Sequence, residues 1–382
     1  MKKLGLYIHI PFCIKKCAYC DFNSYAETES IPLYVDSLKR EISFYAGMNR
    51  SVTSIYIGGG TPTVLSEGDL ASIIEAIYGA FNISPSAEFT VEANPETLSR
   101  RKLAVLRDAG VNRLSLGLQA FQDELLKMIG RIHTAKGFEE KFFMAREEGF
   151  DNINVDLIFG LPRQSVDDFR YSLEKLADLS PEHVSCYGLT VEEGTEFYKL
   201  QKEGLLPMPP EDEERMMYRM AREILGERGY LHYEISNFAR PGRECRHNLV
   251  YWTYGEYLGL GAGAHSFMDG VRFYNAYGIR DYAGRIKSRG RSVEGEEPLL
   301  PEEQQAEFMI LGLRLIKGVS KAEFYKRFRK DLDMVYGRVL EVLKEKELIA
   351  EDGEYVRLTE KGLDLANEAF VEFLPERPAD RQ

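Results

Sequence analysis

The sequence contains little histidine, almost no tryptophan and no long apolar run. Six histidines and one tryptophan occur among 382 residues. No stretch of about 18 consecutive apolar residues is present, so we expect no membrane-spanning helix. The first residues also lack the apolar run and the small-residue cleavage site of a signal peptide. We therefore expect a cytoplasmic protein.

Positive charge is also in deficit. Lysine and arginine together number 49, against 61 aspartates and glutamates, which gives a formal net charge of −12. We therefore do not expect a broadly basic surface that would bind nucleic acid. The lysines and arginines within residues 321–330 are interpreted as the solvated face of a helix.

Cysteine is scarce, and its distribution is uneven. Five cysteines occur, and three of them, Cys13, Cys17 and Cys20, fall within eight residues. An odd number with this clustering is a poor disulfide framework, whereas such a cluster in a reducing compartment is typical of metal binding or redox chemistry. Cys186 lies in an apolar run and is predicted to pack in the core.

Apolar, strand-like runs alternate with amphipathic segments over the first 190 residues. The predicted strands are 5–10, 54–57, 88–92, 113–118, 152–159 and 183–189. The predicted helices include 32–45, 70–77, 100–109, 135–148 and 166–179. Six successive β–α units predict a parallel sheet with right-handed crossovers, either an open doubly wound sheet or a partial barrel. In both arrangements, ligands bind at the carboxyl ends of the strands.

The remaining chain shows two further patterns. Residues 191–298 are less regular, with one predicted helix at 211–228, and are expected to cover one end of the sheet. Residues 299–382 contain three predicted helices followed by a hairpin at 348–358, whose turn is Asp352-Gly353. Three helices and a hairpin in this order predict a winged-helix-like module. We therefore expect three units, 1–190, 191–298 and 299–382.

The cysteine cluster is the strongest chemical signal in the chain. The spacings between Cys13, Cys17 and Cys20 allow one loop to wrap a small metal assembly. Three thiolates would hold a [4Fe–4S] cluster and leave one iron open, at which S-adenosylmethionine can bind through its amino and carboxylate groups. The alternative is a zinc site formed by the three cysteines and His9.

Glycines and polar residues follow several of the predicted strands. The segment 58–63, Gly-Gly-Gly-Thr-Pro-Thr, follows the second strand, and its glycines permit close approach of the backbone to a ligand. Further polar residues at or beyond the carboxyl ends of strands can orient the ribose, carboxylate or amine of a cofactor. They are Glu92, Gln119, Arg131 and Asp156.

Four segments carry a resemblance to a known family. They are 7–13, 58–63, 117–121 and 154–162. Together with the Cys-x3-Cys-x2-Cys loop, they resemble radical S-adenosylmethionine proteins of the oxygen-independent coproporphyrinogen III oxidase type, over essentially the whole chain. The resemblance implies an α/β fold, with a partial (β/α)6 barrel and a C-terminal, mainly helical, winged-helix-like module.

The resemblance also implies cofactor contacts, position by position. The residues implied to contact a first S-adenosylmethionine are Tyr7, Gly59, Glu92 and Arg131. Those implied to contact a second molecule or to lie near it are Gly60, Thr61, Gln119 and Asp156.

Within this family, the sequence is most similar to the heme chaperone HemW branch. Few residues precede Cys13, where the oxidase has a long N-terminal extension, and Asp21 follows Cys20 where the oxidase reads Cys-Gly-Cys. Segments 233–242, 247–252 and 261–266 are also similar to that branch. The branch implies a chaperone that binds heme and transfers it to acceptor proteins. The alternatives are a coproporphyrinogen III oxidase and a radical enzyme acting on another substrate.

The branch further implies a heme site in segment 247–252. His247 is the predicted iron ligand, because imidazole is a common axial ligand, and Asn248 and Tyr251 are predicted to contact the macrocycle. A rival thiolate ligand and two weaker imidazole candidates are Cys245, His265 and His133.

The expected partners follow from this interpretation. They are heme, heme-acceptor proteins with respiratory proteins as one class, and a reductant for the cluster, but no nucleic acid. No catalytic residue is assigned, and the oligomeric state and the question of enzymatic activity stay open.

Overall fold

A twelve-stranded sheet forms the centre of the computed structural model, which describes residues 1–375. Its middle six strands are parallel neighbours. They are β1 (Lys2–Ile10), β2 (Arg50–Gly59), β3 (Ile83–Ala93), β4 (Arg113–Gln119), β5 (Ile153–Phe159) and β6 (His183–Gly188). The helices that follow them are α1 (Ile31–Phe44), α2 (Glu67–Ala80), α3 (Arg100–Asp108), α4 (Asp123–Met128), α5 (Ala135–Glu147) and α6 (Val166–Leu179).

The strand order decides between the two predicted architectures. The six strands lie side by side in chain order, from β1 to β6. A doubly wound sheet reverses its order at a switch point, whereas an unreversed series of right-handed crossovers places the helices on one side and curls the sheet. Within the described residues β1 and β6 do not pair with each other, so the barrel is partial, as predicted.

The strands of this sheet carry apolar side chains on the face that packs in the core, and the side chains at the alternate positions point to the other face and are largely polar. Leu6, Ile55, Leu116 and Val155 are among the fully buried core residues. The predicted strands are confirmed, but β2 and β3 begin four and five residues earlier than predicted. The amino end of β3 carries polar side chains, so the sequence pattern did not predict a strand there. Hydrogen bonding to β2 nevertheless extends β3 to this end, where Ile83 is aligned with Val52.

Residues 191–298 add strands to the sheet at both of its edges. The added strands are β7 (Leu231–Glu234), β8 (Asn237–Ala239), β9 (Tyr257–Leu260), β10 (His265–Met268), β11 (Val271–Asn275) and β12 (Val293–Pro298). The accompanying helices are α7 (Glu196–Lys202), α8 (Glu211–Glu227), α9 (Arg246–Trp252) and α10 (Ile279–Arg289). Strand β8 pairs with β6, and β9 pairs with β1. These strands are short and lack apolar alternation, so the sequence pattern did not reveal them.

A buried carboxylate joins the barrel to the strands beyond β9. Glu41 of α1 accepts hydrogen bonds from the backbone of Gly261 (2.8 Å), from Asn275 Nδ2 (2.7 Å) and from the Tyr282 hydroxyl (2.7 Å). Burial raises the pKa of Glu41 to about 7. Hydrogen bonds from these three donors offset the free-energy cost of burying the carboxylate.

The C-terminal module has its own hydrophobic core. Its elements are α11 (Pro301–Gly312), β13 (Val319–Ser320), α12 (Lys321–Phe328), α13 (Leu332–Glu345), β14 (Ile349–Glu351), β15 (Tyr355–Leu358), α14 (Glu360–Asp364) and α15 (Ala366–Val371). The predicted helices and hairpin are present, and a third strand joins the hairpin. Residues 376–382 of the predicted third unit lie outside the described residues. None of the described helices combines the length and apolar character needed to span a bilayer.

Candidate functional site

The cysteine loop follows β1 at the carboxyl edge of the sheet. Cys13, Cys17 and Cys20 are partly exposed and line a cavity of about 360 Å³, which we call the cluster cavity. Backbone hydrogen bonds hold the loop at two places, from Cys13 to the carbonyl of Tyr25 (2.9 Å) and from Ala18 to that of Ile129 (3.1 Å). The loop therefore presents three thiols to one space.

The surroundings of the thiols suit a bound iron–sulfur cluster. The Cys13 sulfur lies 3.6 Å from the Thr61 hydroxyl, and the Cys17 sulfur lies 3.9 Å from Nη1 of Arg131. Burial raises the pKa of the Cys13 and Cys20 thiols, so without metal they hold their protons, which iron binding would displace. The cationic guanidinium complements the negative charge of a thiolate-ligated cluster.

The zinc alternative is not supported, because His9 has no free ring nitrogen. Its Nδ1 bonds with the Tyr7 hydroxyl at 2.9 Å, and its Nε2 bonds with the carbonyl of Asn23 at 2.8 Å. Across residues 1–375, no group of three or more histidine, cysteine, aspartate or glutamate side chains is arranged to hold a single metal ion.

The glycine segment after β2 forms one wall of the cluster cavity. Gly59 has a φ of 110°, a conformation that favours glycine, and its amide donates to Oε2 of Glu92 at 3.1 Å. At Gly60, a β-carbon would lie 2.6 Å from the carbonyl oxygen of Phe12, so only glycine lets this segment pass beneath the cysteine loop. The Tyr56 hydroxyl donates to the other oxygen of Glu92 at 2.7 Å. Burial raises the pKa of Glu92 to about 7.

Polar residues from β4, from β5 and from the segment after α4 complete the same cavity. Gln119 has a φ of 77°, a left-handed conformation that is uncommon for a non-glycine residue and is often found at functional sites. Asp156 accepts a hydrogen bond from Nδ2 of Asn154 at 2.7 Å, and burial raises its pKa. Arg131 donates to the carbonyl of Gly117 at 2.5 Å. The predicted residues that the structure brings together here are Cys13, Cys17, Cys20, Gly59, Gly60, Thr61, Glu92, Gln119, Arg131 and Asp156.

A second, larger cavity adjoins the first, and we call it the aromatic cavity. Its volume is about 720 Å³, and it shares Asp21, Phe22, Gly59 and Glu92 with the cluster cavity. The lining residues that define it here are Tyr7, Tyr251, Trp252, Tyr254, Tyr257, His265, Phe267, Arg272 and Tyr277. Of the predicted site residues, Tyr7 and Tyr251 lie in this cavity, and Asn248 lies in the cluster cavity.

His247 lies in neither cavity lining, because its side chain is buried beneath α9. Its Nδ1 bonds with the Ser54 hydroxyl at 3.0 Å, and its Nε2 bonds with the Tyr251 hydroxyl at 2.8 Å. The ring stacks on Tyr56, with centroids 5.2 Å apart. Burial and, to a smaller extent, the charge of Arg113 lower the pKa of His247 to about 3. In this conformation the imidazole is neutral and both its nitrogens are occupied.

Sequence reasoning missed the polar groups that hold α9. Glu88 of β3 accepts hydrogen bonds from the backbone amides of Arg246 and His247, both at 3.1 Å, and thereby caps the start of the helix. Arg113 of β4 is buried close by, and burial raises the pKa of Cys245 to about 12. A glutamate within β3 and an arginine at the start of β4 were the available signal, since charged side chains that are buried require partners.

Three thiols at the end of β1, facing polar groups at the ends of neighbouring strands, define a radical S-adenosylmethionine protein. The family model described as "Radical SAM superfamily" matches residues 7–176, and that described as "HemN C-terminal domain" matches residues 299–365. The chain belongs to the family of proteins named heme chaperone HemW. The Bacillus subtilis member is 43% identical over 97% of this chain and 99% of the relative. The Escherichia coli member is 34% identical over 98% of both chains.

The fold is also similar to that of a solved structure. Coproporphyrinogen III oxidase (HemN) from Escherichia coli superposes with a TM-score of 0.85, at 24% sequence identity, over 97% of this chain and 90% of that chain. This similarity supports the partial barrel and the C-terminal module. Membership of the radical S-adenosylmethionine superfamily implies a [4Fe–4S] cluster and S-adenosylmethionine as cofactors, and the cluster cavity fits both.

Proposed function

We propose that this protein binds heme and transfers it to acceptor proteins, while its barrel holds a [4Fe–4S] cluster and S-adenosylmethionine. The observation that carries this proposal is the aromatic cavity, with its volume of about 720 Å³ beside the cluster loop. Flat aromatic walls with a few polar groups are typical of sites for planar, largely apolar ligands. The name of the relatives, heme chaperone, agrees with that chemistry.

The predicted residues His247, Asn248 and Tyr251 enter the proposal with different roles. Tyr251 contributes its ring to the wall of the aromatic cavity, and its hydroxyl is held by His247. As an iron ligand, His247 stays a prediction, and ligation would require its bonds to Ser54 or Tyr251 to break. Cys13, Cys17 and Cys20 would hold the [4Fe–4S] cluster, which would supply electron-transfer chemistry at this site, and Glu92 and Arg131 would orient S-adenosylmethionine.

A heme titration of the purified, cluster-reconstituted protein tests the proposal. We expect saturable binding with a defined Soret band, followed by transfer to an apo-hemoprotein in a mixing assay. Weak and non-saturable heme uptake would refute it. Formation of protoporphyrinogen from coproporphyrinogen III under anaerobic, reducing conditions, without stable heme binding, would instead support an oxidase.

The proposal extends to the setting in which the protein acts. We place it in the cytoplasm, where its five free cysteines would stay reduced. Respiratory heme proteins are the proposed class of acceptors, and a cellular reductant would supply the cluster. The division into units 1–190, 191–298 and 299–382 belongs to the same proposal. Limited proteolysis at the two boundaries tests that division.

A further inference from the structure

The six histidines differ sharply in their accessibility, and all of them lie within the described residues. Four are buried, namely His9, His133, His183 and His247. His232 is partly buried, and its Nε2 bonds with the carbonyl of Ile235 at 3.1 Å. His265 is exposed, and it is the histidine that lines the aromatic cavity together with the buried His9.

Hydrogen bonding separates His265 further from His9, His183 and His247. Both ring nitrogens of His9, His183 and His247 are bonded. The Nε2 of His265 makes one long contact, 3.3 Å, with the hydroxyl of Tyr277. Its Nδ1 has no hydrogen-bond partner among residues 1–375. A metal ion could therefore approach this imidazole without breaking a buried hydrogen bond.

The position of His265 is set by strand pairing. It begins β10, is aligned with Tyr274 of β11, and its ring stacks on that tyrosine with centroids 5.3 Å apart. Burial and the nearby Arg272 lower the pKa of His265, which favours the neutral imidazole that binds iron. A ligand on a strand, with its ring already stacked, loses little conformational freedom when it binds a metal.

The other walls suit the rest of a heme molecule. Tyr251, Tyr257 and Phe267 present aromatic surface to the cavity, and Arg272 is the cation among its lining residues. The Arg272 guanidinium bonds with the Tyr257 hydroxyl at 3.0 Å and with Glu307 at 2.7 Å. These bonds, with a second one to Glu307 at 2.8 Å, use three of the five guanidinium N–H groups, and the remaining two can donate to a propionate.

We propose that His265 coordinates the heme iron and that the aromatic cavity holds the macrocycle. This inference rests on the proposed function, since it names the site and the ligand for the heme that the protein is proposed to carry. It assigns to His247 a positioning role, through the Tyr251 hydroxyl, instead of iron ligation.

The test uses the full, cluster-reconstituted protein and two probes, ferric heme and iron-free protoporphyrin IX. His265→Ala is compared with the wild type and with His232→Ala, which removes a histidine outside the cavity. We expect His265→Ala to weaken heme binding at least about tenfold, since even indirect supports of a metal ligand contribute that much. Protoporphyrin IX binding should stay within about twofold, and added imidazole should restore the Soret band. His232→Ala should match the wild type.

The possible results separate the two proposals. Unchanged heme affinity and Soret band in His265→Ala would overturn the assignment of the ligand while leaving heme binding itself intact. If His265→Ala lost affinity equally for heme and for protoporphyrin IX, with no rescue by imidazole, the assignment of the ligand would also be overturned. The residue would then only shape the cavity. Absence of heme binding by the wild type would overturn the proposed function together with this inference.

Discussion

Replacing Glu92 with glutamine is expected to stabilise the cofactor-free protein and to weaken its binding of S-adenosylmethionine. The Glu92 carboxylate accepts hydrogen bonds from the Gly59 amide and the Tyr56 hydroxyl. Glutamine fits the same space, because its oxygen can accept from Gly59 while its amide donates to the Tyr56 hydroxyl, which can also accept. The variant therefore removes the charge and keeps the shape.

The size of the stability effect follows from the raised pKa of Glu92. Burial, with a smaller contribution from Asp156, raises it from 4.5 to about 7. Between pH 4.5 and 7 the folded protein binds more protons than the unfolded chain, so stability falls as the pH rises through this window. Well above pH 7 the ionised Glu92 lowers the free energy of unfolding by about 3 kcal/mol. This value is an upper bound, because the side chain borders cavities that water can enter. Glu92→Gln should recover up to that amount at pH 8 and almost nothing at pH 4.5.

Glu92→Gln is expected to weaken the binding of S-adenosylmethionine, although it stabilises the cofactor-free protein. We expect the ionised carboxylate to bind the amino group of S-adenosylmethionine. With a pKa of about 7, roughly a tenth of the groups are ionised at pH 6 and nine-tenths at pH 8. The wild type should therefore bind S-adenosylmethionine about tenfold more weakly at pH 6 than at pH 8. Glu92→Gln should bind it weakly at both values.

Two measurements check this reasoning. Chemical denaturation of the cofactor-free proteins between pH 5 and pH 8 reports the free energy of unfolding, and calorimetric titration reports the affinity for S-adenosylmethionine. Glu96→Gln is the matched control, because Glu96 is exposed and lies outside both cavities. A Glu92→Gln variant that is no more stable than the wild type at pH 8, or a wild-type affinity that does not change with pH, would refute the argument.

Three further predictions concern the supports of the site. Glu88→Gln should lower the free energy of unfolding by about 2 kcal/mol, because it weakens two charge-assisted bonds at the start of α9, and unchanged denaturation midpoints would contradict this. Tyr282→Phe removes a donor to Glu41, so it should cost about 1–3 kcal/mol at pH 8 and less at pH 5, where the folded Glu41 is protonated, and an equal cost at both values would argue against it. Cys20→Ser should abolish the visible absorbance of the reconstituted cluster without changing the far-ultraviolet circular dichroism, and a variant with full cluster content would exclude Cys20 as a ligand.

The fold of the barrel was largely predictable, because its strands carry buried apolar residues at alternate positions and amphipathic helices follow them. In β5, Ile153, Val155, Leu157 and Phe159 occupy alternate positions, and the predicted limits of this strand differ from the observed ones by one residue. The strands beyond β6 were not predictable in the same way. Strand β8 has three residues and β9 has four, and each exists because a barrel edge offers hydrogen-bonding partners. That information lies in distant parts of the chain.

The cluster loop shows how much a local pattern can carry. The spacing of Cys13, Cys17 and Cys20 was sufficient to predict a shared metal assembly, since a short loop limits how far the thiols can separate. The left-handed φ of Gln119 and the passage of Gly60 beneath Phe12 depend on the packing of several strands. These two backbone features set the shape of the cluster cavity, but they do not change the chemistry of its three thiols.

The sequence by itself predicted the family, the parallel β–α units and a shared metal assembly at Cys13, Cys17 and Cys20, because apolar periodicity and motif spacing are local properties. Only the tertiary structure decided which histidines are accessible. His247 lies in the segment that resembles a heme motif, yet the packing of α9 on β1 and β2 buries its ring and occupies both nitrogens. His265 lies eighteen positions later on a short strand, and its imidazole reaches the aromatic cavity because β9 and β10 extend the barrel edge. Accessibility depends on contacts between distant segments, and those contacts are set by the fold as a whole.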